Sequence, residues 1–393
     1  MNRNTDFIPF ALPCLGPREE EAVLRVLRSG WITTGAETRS FEEEFARFVG
    51  VPHALAVNSA TAGLHLALEA LGVGPGDLVV TTPYTFTATA EVVRYLGADP
   101  LFVDIGPDSF SLDPRGVEKT LRDPELGPRV KAVLPVHVAG EVRGMEEILA
   151  SCARRGIPVV EDAAHSFPSR TALGFAGALG RIGVYSFYAT KTITTAEGGM
   201  VVTADREAAA RMSRMRLHGI DREVWDRYTA RDASWRYEVV APGFKYNLTD
   251  IASAIGRVQL SRADEFLARR REIARTYREA FARRDYLIPP EDSRGHAWHL
   301  FPLQIDETKL TLDRDEFIRR LGRKGIGVSV HFIPLHLHPY WRDRYGLRPG
   351  DFPEALKKYS RVISLPIYPS LTEDQVGRVI QAVLEVGDGG AGA

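Results

Sequence analysis

Between about residue 53 and residue 205, short apolar runs alternate with helix-patterned segments, and this alternation constrains the fold more than any other feature. The runs HALAV (53–57), DLVVTTP (77–83), PLFVDI (100–105), KAVLPVHV (131–138), IPVVED (157–162), VYSFYA (184–189) and GMVVTAD (199–205) are rich in β-branched residues and almost continuously apolar. Strands buried on both faces read this way. Between them lie helix candidates such as TAGLHLALEAL (61–71) and GMEEILASCARRG (144–156). The pattern predicts an open, mainly parallel α/β sheet of seven strands. Ligands of such sheets bind beyond the carboxyl ends of the strands.

The chain has 393 residues, more than one hydrophobic core usually supports, so a second, smaller domain is expected. Residues 249–284 read as one long helix or two in sequence, with Ile251, Ile255, Val258, Phe266, Ile273, Tyr277 and Phe281 as an apolar stripe. Arg269, Arg270 and Arg271 read as part of its solvated face. The later runs HLFPLQI and GIGVSVHFIPL and the closing helix TEDQVGRVIQAVLEV suggest a compact α+β unit. The expected boundary falls inside the long helix, giving domains 1–255 and 256–393.

Lys and Arg number 50 against 51 Asp and Glu, which leaves no overall field to draw nucleic acid or an anionic membrane. An anionic ligand must therefore be held by a local site. Two cysteines, Cys14 and Cys152, form no disulfide framework and suit a reducing cytoplasm. No signal peptide or membrane-spanning run is apparent, so a cytoplasmic location is expected. The histidines are scattered without ligand spacing, and no metal site is expected.

Four strand ends carry candidate chemistry. In VVEDAAHS, Asp162 could merely cap a turn, or could bind a protonated ring nitrogen through a charge-assisted hydrogen bond. His165, three residues on, could touch the same ligand. In VNSATAGLHLAL, Ser59, Ala60, Thr61 and Ala62 fall where a strand hands over to a helix, and helix-start N–H groups with hydroxyls make a phosphate seat. There is no GK[ST] and no GxGxxG, so nucleotide hydrolysis and dinucleotide binding lose support. In TPYTFTATA, Phe86 could stack on a planar ligand or simply pack. In SFYATKTITTAEGGM (186–200), Lys191 follows a strand end, with Ser186 before it and a glycine pair after. A lysine so placed can snorkel to water. The combination of amine, acid, phosphate seat and aromatic face instead matches pyridoxal 5′-phosphate (PLP): the lysine condenses with the aldehyde, the acid keeps the ring nitrogen protonated, and backbone donors hold the phosphate.

These segments resemble the DegT-type sugar aminotransferases, a branch of the fold type I PLP enzymes, over nearly the whole chain. SGWITTG (29–35), SATAG (59–63), EDAAH (161–165), KTITTAEGG (191–199), GFKYNLTDI (243–251), HAWHLF (296–301), GIGVSVHFIPLH (325–336) and LPIYPSLT (365–372) fall in the family's order. Several are most similar to the branch that makes UDP-4-amino-4-deoxy-L-arabinose, although tryptophan is typical there at the position of Phe86. The resemblance implies that Lys191 binds the cofactor covalently and shuttles the proton, and that Asp162 holds the pyridine nitrogen. It implies that Thr61, Ala62 and Ser186 hold the phosphate and that Phe86 covers the ring. Asn247 would reach the phosphate of a neighbouring subunit, which implies a homodimer with shared active sites. Trp31, Thr33, His331 and His336 are candidates for the sugar nucleotide. The implied reaction moves an amino group from L-glutamate to a nucleotide-linked keto-sugar. The rivals are a PLP-dependent sugar dehydratase, whose relatives carry histidine in place of the lysine, and a non-catalytic regulatory protein of the same fold.

Overall fold

The structure is a computed structural model that describes residues 7–221, 237–293 and 295–390. The first seven strands are β1 (His53–Val57), β2 (Leu78–Thr81), β3 (Asp99–Phe102), β4 (Val130–Val133), β5 (Val160–Asp162), β6 (Ile182–Ser186) and β7 (Gly199–Thr203). They form two hydrogen-bonded groups, β3-β2-β4 and β1-β7-β6-β5. Parallel bridges Val133–Val159 and Val136–Asp162 stitch β4 to β5. The whole therefore reads β3-β2-β4-β5-β6-β7-β1. Pairing is parallel within β3-β2-β4 and between β5 and β6, whereas β7 runs antiparallel to both β6 and β1. This is the mainly parallel seven-stranded sheet expected from the apolar runs, with one strand reversed.

Both faces of the sheet are covered, which explains why its strands lack apolar–polar alternation. On one face lie the helices Ala60–Ala70, Ala88–Tyr95 and Arg206–Met215, whose Leu64, Leu68, Val92 and Met212 join Val184 and Val201 in one core. Gly63 permits this packing, since a Cβ there would sit 2.7 Å from Val184 Cγ1. The other face carries the helix Ala36–Val49 and an aromatic core of Phe41, Phe45, Phe167, Tyr185 and Phe187. Phe45 lies 5.1 Å from both Phe167 and Tyr185, ring centre to ring centre, within the range where aromatic pairs attract.

The long basic segment is two helices, Asp250–Ser261 and Ala263–Phe281, broken at Arg262. Thr249 caps the first by accepting a bond from Ala252 N–H at 3.3 Å. Beyond them β8 (Leu287–Ile288), β9 (Phe301–Ile305) and β10 (Val362–Leu365) form an antiparallel sheet in the order β10-β9-β8. Its core unites Phe281, Phe301, Phe317, Val379 and Val383 with Ile8 from the start of the chain. Ile8 reaches it through backbone bonds of 2.8 Å, one to Gly325 O and one from Gly327 N–H.

The arginine cluster does not behave as one solvated face. Arg270 turns inward, is only 2% exposed, and donates from Nη1 to the carbonyls of Trp298 (3.2 Å), His299 (3.2 Å) and Ile367 (2.7 Å). Burial pushes its pKa down to about 10. A run of three like residues on a helix necessarily points in three directions, about 100° apart.

Candidate active site

β6 and β7 are antiparallel neighbours with Ser186 opposite Gly199, so residues 187–198 form a loop that leaves and re-enters the sheet at one edge. Backbone bonds close its neck, Phe187 N–H to Gly198 O (2.9 Å) and Thr195 N–H to Phe187 O (3.0 Å). Thr194 Oγ1 also donates to Phe187 O at 3.0 Å, and Lys191 N–H donates to Tyr188 O at 2.9 Å. The glycine pair has a steric cause. A Cβ at Gly199 would lie 2.8 Å from Ala60 N and 2.9 Å from Ser59 C, so only glycine lets β7 start against the beginning of the Ala60–Ala70 helix. Gly199→Ala is therefore expected to push that helix start out of place and weaken PLP affinity by about tenfold or more, the cost of disturbing charge-assisted bonds. Titration of the cofactor-free protein with PLP would measure this.

That helix start is the second element of the site. Ser59 caps it, accepting a bond from Ala62 N–H at 3.0 Å, and Gly63 N–H bonds Ser59 O at 3.1 Å. The N–H groups of Ala60 and Thr61 precede the first helical bonds, and both residues line the cavity beside Lys191. Oriented helix-start dipoles favour an anion there.

The third element is the end of β5, where two consecutive carboxylates face opposite ways. Glu161 turns into the protein. Its Oε2 meets His137 Nε2 and Gly177 N–H, each at 2.8 Å, and its Oε1 accepts from Leu179 and Gly180 N–H, each at 2.6 Å. Asp162 turns into the cavity, with Oδ2 accepting from Thr89 Oγ1 at 2.8 Å and Oδ1 from Ala164 N–H at 3.1 Å. Burial pushes the Asp162 carboxyl up from its ordinary value, against the pull of the Thr89 and Ala164 bonds and of Lys191. The same burial pushes Lys191 down to about 8, opposed by the charge of Asp162.

A cavity of about 480 Å³ brings together Ser59, Ala60, Thr61, Phe86, Asp162, His165, Ser186, Lys191 and His331. His165 is buried, its Nδ1 accepts from Ala139 N–H at 3.3 Å, and its ring stacks on Phe332 at 5.6 Å. Phe86 is 61% exposed, an unusual state for a phenylalanine on a pocket wall and one that a stacked ring would relieve. The other candidates lie outside the cavity lining. Ala62 is buried one residue further into its helix. Trp31 donates from Nε1 to Thr34 O at 3.1 Å, and Thr33 is exposed with its carbonyl accepting from Asp250 N–H at 3.2 Å. Asn247 donates to Thr34 Oγ1 at 2.7 Å. His336 is fully buried against Phe352, ring centres 4.9 Å apart.

Sequence reasoning passed over Thr85, Thr89, Tyr188, Glu197, His299 and Phe332, all of which line the cavity. Thr89 carried a signal, because it shares TPYTFTATA with Phe86. The signal for His299 was the motif HAWHLF itself, from which no single residue stood out.

Comparisons with known proteins agree with this geometry. The spore coat polysaccharide biosynthesis protein SpsC of Bacillus subtilis is 44% identical over 389 residues, covering 98% of each chain. Among solved structures, Spr1654 of Streptococcus pneumoniae in its PMP form superposes with a TM-score of 0.90 at 30% identity, covering 97% of this chain and 99% of that one. Its PLP form gives 0.89 at 29% identity, covering 98% and 99%. PseC of Helicobacter pylori, an aminotransferase of pseudoaminic acid biosynthesis, gives 0.89 at 30% identity over 98% and 100% of the two chains. The residues here fit the cofactor those forms contain. A cationic ring N–H would relieve the buried Asp162 carboxyl, the Ala60 and Thr61 N–H groups present a phosphate seat, and the depressed Lys191 amine is available in its neutral form. Residues 13–384 match the DegT/DnrJ/EryC1/StrS aminotransferase family, and the chain belongs to that family as a PLP-dependent aminotransferase of fold type I.

Proposed function

We propose that this enzyme transfers the amino group of L-glutamate to a nucleotide-linked keto-sugar, most simply at C4 of a UDP-4-keto-pentose or a 4-keto-6-deoxyhexose. The observation that carries the reading is the meeting of Lys191, Asp162 and the Ala60–Thr61 helix start in one cavity. The names of SpsC and PseC, one in polysaccharide biosynthesis and the other in pseudoaminic acid biosynthesis, support a sugar acceptor. The presence of lysine at 191 disfavours a dehydratase and a non-catalytic role.

PLP, when bound, supplies an electron sink that eases removal of a proton from the carbon bearing the amine. Lys191 would take that proton on Nζ and return it to the carbon two atoms along the substrate–cofactor frame, which requires the amine to be neutral at the moment of uptake. Its depressed pKa of about 8 serves this step. Asp162 holds the ring nitrogen protonated, and Thr89, itself bonded to Thr85 Oγ1 at 2.7 Å, fixes the carboxylate. Ser59, Ala60, Thr61 and Ser186 bind the phosphate; Ala62, expected to join them, lies outside the cavity lining and spends its N–H on Ser59 Oγ. Phe86 covers one face of the ring and His165 contacts its substituents. Asn247 serves the neighbouring subunit's phosphate in a homodimer, in keeping with its place outside this chain's own cavity lining. Trp31, Thr33 and His331 are assigned to the sugar-nucleotide side, whereas His336, fully buried against Phe352 and away from the cavity lining, is a packing residue.

Only neutral Lys191 can attack an aldehyde. Uptake of added PLP by the cofactor-free protein, followed by absorbance, is therefore expected to quicken as pH rises and to level off above about 8. The function itself is tested by loading the holoenzyme with glutamate and challenging it with UDP-, dTDP- and GDP-linked keto-sugars. Return of the PLP absorbance with one of them identifies the acceptor, and no return with any of them overturns the reading.

A further inference from the structure

Among the described residues, the cavity wall carries the charged side chains Lys191, Asp162 and Glu197 and no arginine. Lys191 and Asp162 are committed to the cofactor. An amino-acid donor nevertheless brings carboxylates into this space. Of the three histidines on the wall, His165 accepts from Ala139 N–H (3.3 Å), and His331 Nδ1 is paired with Ser364 Oγ (2.9 Å). His299 is 5% exposed, and its Nδ1 is buried with no hydrogen-bond partner. A neutral imidazole carries one proton, and the ring nitrogen that bears it is a donor.

The segment that carries His299 is built to be rigid. Ala297 N–H bonds Gly140 O at 3.0 Å and Leu300 N–H bonds Ala139 O at 3.3 Å, which ties it to the turn that also fixes His165. From the other side the buried Arg270 grips the carbonyls of Trp298 and His299 at 3.2 Å each. Trp298 holds φ at +50°, a left-handed conformation sustained only by such surroundings.

We propose that His299 receives a carboxylate of the amino-acid donor through an uncharged N–H, giving this wall of the pocket an anion contact that carries no fixed charge. This rests on the aminotransferase reading with glutamate as donor. The physical advantage follows from two substrates sharing one cavity. A guanidinium suited to glutamate would be stranded without a counter-ion when a keto-sugar takes its place, a costly state for a buried charge. A neutral imidazole suffers no such penalty. The groups around His299 keep it neutral: burial first, then His165 at 4.4 Å between ring centres, Lys191, Arg270 and His331.

The test uses PLP-loaded enzyme carrying His299→Leu or His299→Gln. The half-reaction with L-glutamate is followed by absorbance, and binding of maleate, an unreactive dicarboxylate, by calorimetry. In His299→Leu the KM for glutamate and the Kd for maleate are expected to rise about tenfold or more, the value of a hydrogen bond to a charged group. The saturating half-reaction rate and borohydride-fixable PLP content should stay within about threefold, and His299→Gln, which keeps an N–H donor, should restore much of the affinity. Unchanged glutamate KM and maleate Kd in His299→Leu, or a loss confined to the saturating rate, would overturn the proposal. If the wild-type holoenzyme shows no half-reaction with glutamate, the donor reading itself fails and takes this inference with it, an outcome visible before any variant is made.

Discussion

Lys191→Ala is expected to bind PLP and yet lose turnover by about four orders of magnitude, the upper range for removing a positioned acid–base group that is also the nucleophile. The helix start, Asp162 and Phe86 are left in place, so on the proposed assignment binding survives by non-covalent means. Steady-state assay with glutamate, together with borohydride reduction and peptide mapping, measures both halves of the expectation. Wild-type label should appear on the peptide containing residue 191, and the variant should carry none. Full activity in the variant would refute the assignment of this amine. Methylamine added to the variant should recover a small part of the rate, because the missing group is a base whose position the cavity still defines.

Asp162→Asn is expected to cost about 10²–10³-fold in turnover, comparable with losing one preorganised electrostatic group. The asparagine keeps the shape and the bond from Thr89 but cannot hold a proton on the ring nitrogen by charge. The same substitution has a second consequence that a merely structural role would not produce. The charge of Asp162 raises the Lys191 pKa against the effect of burial. Without it that pKa falls further below about 8, and the pH profile of PLP uptake by the cofactor-free variant should move to lower pH. An unshifted profile would show that the two groups are not electrostatically coupled.

Much of this could be read from the chain before its structure was known. The seven strands were legible because burial on both faces writes itself as unbroken β-branched runs, as in Val79, Val80 and Val201, Val202. The reversal of β7 was not legible, since an antiparallel strand buried on both sides carries the same composition as a parallel one. Lys191, Asp162 and the helix start were found because strand ends are where ligands of such sheets bind, and these residues sit at strand ends in sequence as well as in space. His299 and Arg270 come from the C-terminal part of the chain and reach the site or its support only through tertiary packing. Nothing local distinguishes Arg270 from the neighbouring Arg269, which stays near the surface paired with Glu272 at 2.7 Å and Glu373 at 2.6 Å. Its inward turn is decided by the carbonyls it meets.

The neck of the 187–198 loop is closed by main-chain bonds and by Thr194, and no hydrogen bond in that closure uses the side chain of residue 191. Reagent and scaffold are thus separable. An inert version of the enzyme should keep its architecture, which makes it a natural trap for catching its acceptor substrate out of a cell extract.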